Sequence, residues 1–96
     1  MPAADFLLVI CYDIPSDRRR LKIHKALLAY GANIQKSVFE CRLTPRLRDR
    51  MMKRIMKIID PKEDRVRLYP LCDDCVARTQ IIGVGEITTV PAVYVV

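Results

Sequence analysis

The first feature with chemical potential is an acid at the end of an apolar run. Tyr12 and Asp13 close the stretch Phe6 to Tyr12 (FLLVICY). In strand-then-helix architectures, ligands collect beyond the carboxyl ends of the strands. Asp13 also suits a plainer task, closing a turn through Pro15 or capping the helix that follows. One carboxylate is a poor cradle for magnesium, which demands a near-octahedral oxygen shell. Two copies of Asp13 facing each other in a two-fold dimer could hold one hydrated ion between them.

Basic residues form two further constellations. Arg18, Arg19 and Arg20 stand at a helix start, where the macrodipole favours acids and each misplaced cation costs only a few tenths of a kcal/mol. Guanidinium groups beside free backbone N–H donors draw phosphate. Arg46, Arg50, Lys53, Arg54 and Lys57 then recur at helical spacing, gathered in an arc of roughly 100° on the wheel. Asp49 and Asp60 alone interrupt them. The stripe could be a solvated face, but so little admixed acid reads better as a contact to a nucleic-acid backbone, salt-dependent and sequence-tolerant.

Other chemistry finds less support. His24 falls in the apolar arc of its helix, as a packed histidine at the core's edge does. Gly83 and Gly85 lack the Walker spacing and its Lys-Ser/Thr. No serine or cysteine has a base partner visible in the sequence. Of the four cysteines, Cys11 and Cys41 sit in apolar runs and Cys72 and Cys75 form one C-x2-C pair. A second pair at zinc-ribbon spacing is missing, so free and mostly buried thiols are expected.

These groups need elements to hold them. Phe6 to Tyr12 suits a strand covered on both faces. Ser16 or Asp17 then caps a helix running to about Tyr30, with Gly31 supplying a left-handed C′ residue. Leu21, Ile23, His24, Leu27, Leu28 and Tyr30 share one half of that helix, and Lys22, Lys25, Ala26 and Ala29 the other. Ile34 to Leu43 reads as extended, either one kinked strand or a tight pair bending near Lys36-Ser37. Thr44-Pro45 opens a second helix that ends before Asp60-Pro61, with Leu47, Met51, Met52, Ile55, Ile58 and Ile59 as its apolar arc. Asp64 to Leu71 alternates as a half-buried strand does. Arg78 to Val84 and Ala92 to Val96 are expected as further strands. Two helices on one face of a mainly antiparallel sheet make an α+β, ferredoxin-like βαββαβ sandwich with an extra C-terminal strand.

The chain has 96 residues, half of them hydrophobic, and 17 Lys and Arg against 11 Asp and Glu for a net charge of +6. That length gives one domain over residues 1–96 with a small core, helped by a partner subunit. The charge favours polyanionic partners. No apolar run is long enough to span a membrane and no secretory signal is apparent, so a cytoplasmic protein is expected. The apolar C-terminal segment, about 86–96, is an aggregation risk unless paired, and is expected to add to the sheet of a dimer partner.

The strand ending Tyr12-Asp13-Ile14, the Arg-rich helix start, Gly31, the segment Gln35-Lys36-Ser37-Val38-Phe39-Glu40 and the later Asp64-Arg65-Val66-Arg67-Leu68-Tyr69-Pro70-Leu71 together resemble the signature of the CRISPR-associated protein 2 family over nearly the whole chain. One position departs: Asn33 stands where many relatives carry Arg. The resemblance implies a ferredoxin-like homodimer that takes part in spacer acquisition, bridging dimers of the CRISPR-associated integrase and holding the incoming DNA. It also implies a magnesium-dependent endonuclease acting on RNA or duplex DNA. Asp13 would be the metal-binding catalytic residue, with Tyr12, Arg20 and Phe39 lining the site. A non-catalytic adaptor gripping duplex DNA through Arg18 to Arg20 and the second-helix stripe is the alternative. A toxin-like RNA nuclease is a third.

Overall fold

The computed structural model describes residues 5–88. Strand β1 (Phe6–Asp13) is followed by helix α1 (Asp17–Leu28) and the hairpin β2 (Ala32–Gln35) and β3 (Val38–Leu43). Helix α2 (Pro45–Ile58), strand β4 (Arg65–Leu71) and the short helix α3 (Asp73–Ala77) complete the order. The sheet runs β2-β3-β1-β4 and every pairing is antiparallel. With both long helices packed on one face, this is the ferredoxin-like α+β arrangement.

Period-two alternation decides the core. Leu8, Ile10 and Tyr12 of β1 lie on the helical side beside Cys41 and Phe39 of β3. They meet Ile23 and Leu27 of α1 and Met51 and Ile55 of α2, all buried. Leu7 is buried too, on the opposite face. Burying a side chain of this size contributes about 1.5–3 kcal/mol, so β1 at the centre of the sheet carries a large share of the stability. Both helix entries are capped as expected. Ser16 Oγ accepts from Arg19 N–H at 3.3 Å, and Thr44 Oγ1 accepts from Leu47 N–H at 3.3 Å.

The hairpin resolves the open question about residues 34 to 43 as a strand pair turning at Lys36 and Ser37. Lys36 takes a positive φ of 34°, a conformation non-glycine residues adopt rarely. Asn33 pins the turn, its Nδ2 donating to the carbonyls of Lys36 (2.9 Å) and Val38 (3.2 Å).

Four expectations are corrected. Gly31 is not left-handed: positive φ among the glycines belongs to Gly83 and Gly85. Gly31 is needed for close approach, because a Cβ there would sit 2.3 Å from the Glu40 carbonyl oxygen. On α1 the buried residues are Ile23, Ala26 and Leu27, while Leu21 and Leu28 are over half exposed. Ala26 is small enough to let the helix sit close on its neighbours, and that turns the two leucines outward. Residues 78–84 form no strand; Cys72 caps α3 instead, and Ile82 and Val84 are fully exposed. Nor are the thiols mostly buried: Cys41 is, Cys11 is half-buried, and Cys72 and Cys75 are exposed.

Of the segment about 86–96, residues 89–96, including the strand expected at Ala92 to Val96, lie outside the described residues. Thr88 sits over the sheet face that the helices leave open. It donates from N–H and Oγ1 to Glu40 Oε1, and its carbonyl accepts from Arg42 Nε. No helix among the described residues is long and apolar enough to cross a membrane.

Candidate functional site

Antiparallel pairing brings one end of the molecule together. The last residue of β1, Asp13, pairs with Arg65 at the start of β4. The hairpin turn joins them there, Tyr12 N–H donating to the Ser37 carbonyl at 3.1 Å. The start of α1 and the end of α2 converge on the same end. Asp13 points to the face away from the helices and is exposed, and its carboxylate makes no hydrogen bond or ion pair among the described residues.

The three arginines of α1 separate into different roles. Arg18 is exposed and forms no ion pair among the described residues. Arg19 is held from two sides by Asp64, Nε to Oδ2 at 2.7 Å and Nη2 to Oδ1 at 3.0 Å, and that carboxylate is fully buried. It also accepts from Asp60 N–H at 2.8 Å. The Arg19 hydrogen bonds hold the Asp64 carboxyl below its usual range despite burial, and Asp64 raises the Arg19 guanidinium in return. Arg19 thus clasps the start of α1 to the turn before β4. Arg20 spends one donor on the Ile14 carbonyl at 3.0 Å and another on Asp17, and remains exposed.

On the helical side, Tyr12, Asp17, Arg20, Leu21, His24, Lys36 and Ser37 line an open cleft of about 540 Å³. The Tyr12 hydroxyl lies 3.2 Å from His24 Nδ1. Burial pushes the Tyr12 phenol above its usual value, with a Ser37 hydrogen bond and the Arg20 charge pulling the other way. The phenol therefore stays protonated and able to donate at neutral pH. Phe39 lies beneath, its ring centroid 6.3 Å from Tyr12 and 5.3 Å from His24 in an edge-on contact. It is fully buried, so it supports the two rings above it and has no surface to offer a ligand. The sequence alone did not point to His24, Lys36 and Ser37 as part of this cleft. The i, i+3 step between Leu21 and His24 and the Lys36-Ser37 turn signal were the available clues.

Along α2, Arg46, Lys53, Arg54 and Lys57 are exposed, and Arg50 is half-buried. Arg46 and Lys57 lie about 16 Å apart along the helix axis, enough to follow several phosphates of a duplex. Their Lys57 end lies at the same end of the sheet as Asp13.

Among the described residues no three His, Cys, Asp or Glu side chains cluster to hold a metal. Asp13 fits one only as half of a pair from two chains.

The model of the family described as CRISPR associated protein Cas2 matches residues 6–79. The chain is 42% identical over 91 residues to CRISPR-associated endoribonuclease Cas2 3 of Synechocystis, covering 95% of this chain and 99% of that one. It is 36% identical over 89 residues to CRISPR-associated endonuclease Cas2 2 of Thermus thermophilus, covering 93% and 94%. A chain in a structure described as a partial Cas6-RT-Cas1–Cas2 complex superposes with a TM-score of 0.74 at 30% identity, covering 95% of this chain and 99% of that one.

Proposed function

The chain belongs to the CRISPR associated protein Cas2 family, and from this we propose that it is a CRISPR adaptation protein of the cytoplasm with metal-dependent endonuclease activity. The observation that carries the reading is Asp13, an exposed carboxylate whose side chain has no partner among the described residues, at a strand end opposite Arg65. Its relatives' names, endoribonuclease and endonuclease, support phosphodiester cleavage of RNA or duplex DNA. In a homodimer, two copies of Asp13 would hold one magnesium ion. Such an ion, when bound, lends Lewis acidity toward a phosphate and lowers the pKa of water. The chain's own residues do the rest. Arg18 and Arg20 would neutralise the phosphate backbone, while Tyr12 and His24, hydrogen-bonded to each other over Phe39, form the wall of the cleft on the helical side beside Arg20.

The exposed cations of α2 favour a second reading, in which the protein is an adaptor that grips duplex DNA and joins an integrase. The likeness to a chain of a Cas1–Cas2 complex supports that partner. Magnesium-dependent cleavage of labelled duplex DNA and single-stranded RNA, with binding followed in parallel, separates the two. If the protein is a nuclease, Asp13→Asn abolishes cleavage and leaves binding intact. If neither wild type nor variant cleaves while both bind DNA, the nuclease reading falls and the adaptor stands.

A further inference from the structure

Two thiols stand outside everything assigned above. Cys72 and Cys75 follow directly on β4, both exposed, with their Sγ atoms 3.3 Å apart and sharing a hydrogen bond. Cys75 N–H also donates to Cys72 Sγ at 3.4 Å. Three residues in a helical turn place the Cα atoms about 5 Å apart, inside the span a disulfide bridges, and bonding needs the sulfurs to close only to about 2.05 Å. The other thiols lack this setting. Cys41 is fully buried and its thiol is pushed up to about 12 by burial, the neighbouring Glu40 charge adding to the effect. Cys11 is half-buried in the central strand. No third ligand joins the pair to make a metal cluster among the described residues.

We propose that Cys72 and Cys75 form a thiol–disulfide exchange site whose substrate is a small disulfide of the glutathione type. The Cys72 thiolate attacks one sulfur of the small disulfide, whose S–S bond breaks and releases one half as a thiolate. Cys75 then loses its proton to water and attacks Cys72 Sγ. The Cys72–Cys75 bond forms and the second half leaves as a thiolate. Two protein thiols are oxidised and one small disulfide is reduced to two thiols, so the electrons balance. The order follows from the surroundings. The Cys75 backbone N–H, and then its thiol, hold Cys72 below its usual value, while the same thiol contact raises Cys75. A thiolate formed more readily attacks faster, although its lower basicity takes back part of the gain.

The test incubates the full chain in mixtures of oxidised and reduced glutathione, quenches with acid, alkylates the remaining thiols and maps them by peptide mass spectrometry. Wild type should yield the intramolecular Cys72–Cys75 bond with Cys41 still reduced. Cys75→Ser should accumulate a glutathione adduct on Cys72 that has no thiol to resolve it, and Cys72→Ser should form no intramolecular bond. Both positions are exposed, so serine leaves the core intact, which a thermal melt of each variant checks. Absence of the Cys72–Cys75 bond while Cys11 or Cys41 reacts overturns the proposal, and so does a Cys75→Ser chain that carries no adduct on Cys72. Thiols that stay unreactive until a chelator strips stoichiometric zinc from the purified chain also overturn it, in favour of a metal site shared between copies.

Discussion

Gly31→Ala adds one carbon where three atoms of β3 already stand. Ala32 pairs with Glu40 across the hairpin, which sets Gly31 opposite Cys41 just where the chain leaves α1. A Cβ at Gly31 would lie 2.3 Å from the Glu40 carbonyl oxygen, 2.5 Å from Cys41 Sγ and 2.8 Å from Cys41 Cα. Ordinary contact begins near 3.4 Å, so β3 and the end of α1 must part by about 1 Å. Two of the three obstructing atoms are backbone and have no rotamer to escape into. That puts the cost at the upper end of the overpacking range, about 3 kcal/mol. Loss of glycine's freedom in the unfolded chain returns about 0.4–1 kcal/mol. The net of about 2–2.5 kcal/mol corresponds to a fall in Tm of roughly 8–20 °C for a domain of this size. Circular dichroism melts would measure it, with Gly83→Ala as the contrast. Gly83 has a φ of 97° but nothing within 4 Å of an added Cβ, so its penalty is backbone strain of about 1 kcal/mol. Adding Cys41→Ala to Gly31→Ala should restore only part of the loss, since the Glu40 oxygen and Cys41 Cα remain. A Gly31→Ala Tm within about 3 °C of wild type, or no lower than that of Gly83→Ala, would refute this account of the packing between α1 and β3.

The Arg19–Asp64 clasp has a pH signature. Asp64 is depressed in the folded state, so its stabilisation is present above the unfolded carboxylate value near 3.9 and fades as pH falls through the lower folded value. Arg19→Ala leaves a buried carboxylate unpaired, so the stability gap to wild type in urea melts should be wider at pH 7 than at pH 3; an equal gap at both excludes the clasp. If α2 lies along a duplex, Lys53→Ala combined with Lys57→Ala should lower the slope of log K against log salt by about 0.9 for each phosphate these lysines neutralise. An unchanged slope in fluorescence anisotropy titrations removes both side chains from the interface. Phe39→Ala should cost about 3–5 kcal/mol, read as a lowered urea midpoint, because the ring is fully buried under Tyr12 and His24.

Much of the fold was legible because local and global signals agree. FLLVICY is a central strand, Ser16 and Thr44-Pro45 are helix starts, and the alternation from Arg65 to Tyr69 is a half-covered strand. What sequence could not show depended on tertiary context. The arc α1 buries runs through Ala26 because a small side chain permits close packing, whereas counting bulk alone favours Leu21 and Leu28. Residues 78–84 have strand-forming side chains, but strand propensity is a fit to a neighbouring surface, and past β4 the chain turns into α3. The position of Asp13 at the end of β1 was legible from its place after an apolar run. The separate fates of Arg18, Arg19 and Arg20 were not, since Asp64 lies 45 residues further along the chain.

The central place of β1 also shapes how this protein is born. Its hydrogen-bond partners on one side belong to β4, which follows it by about 50–65 residues. At translation rates of about 5–20 residues per second, a ribosome takes roughly 3–13 s to produce the second edge of a strand it has already made. Until then FLLVICY is a sticky half-finished ribbon, sheltered first by α1 and then by the hairpin. Pairing β4, the last strand among the described residues, onto β1 is thus a long-range closure of the kind that slows folding in sheets of high contact order.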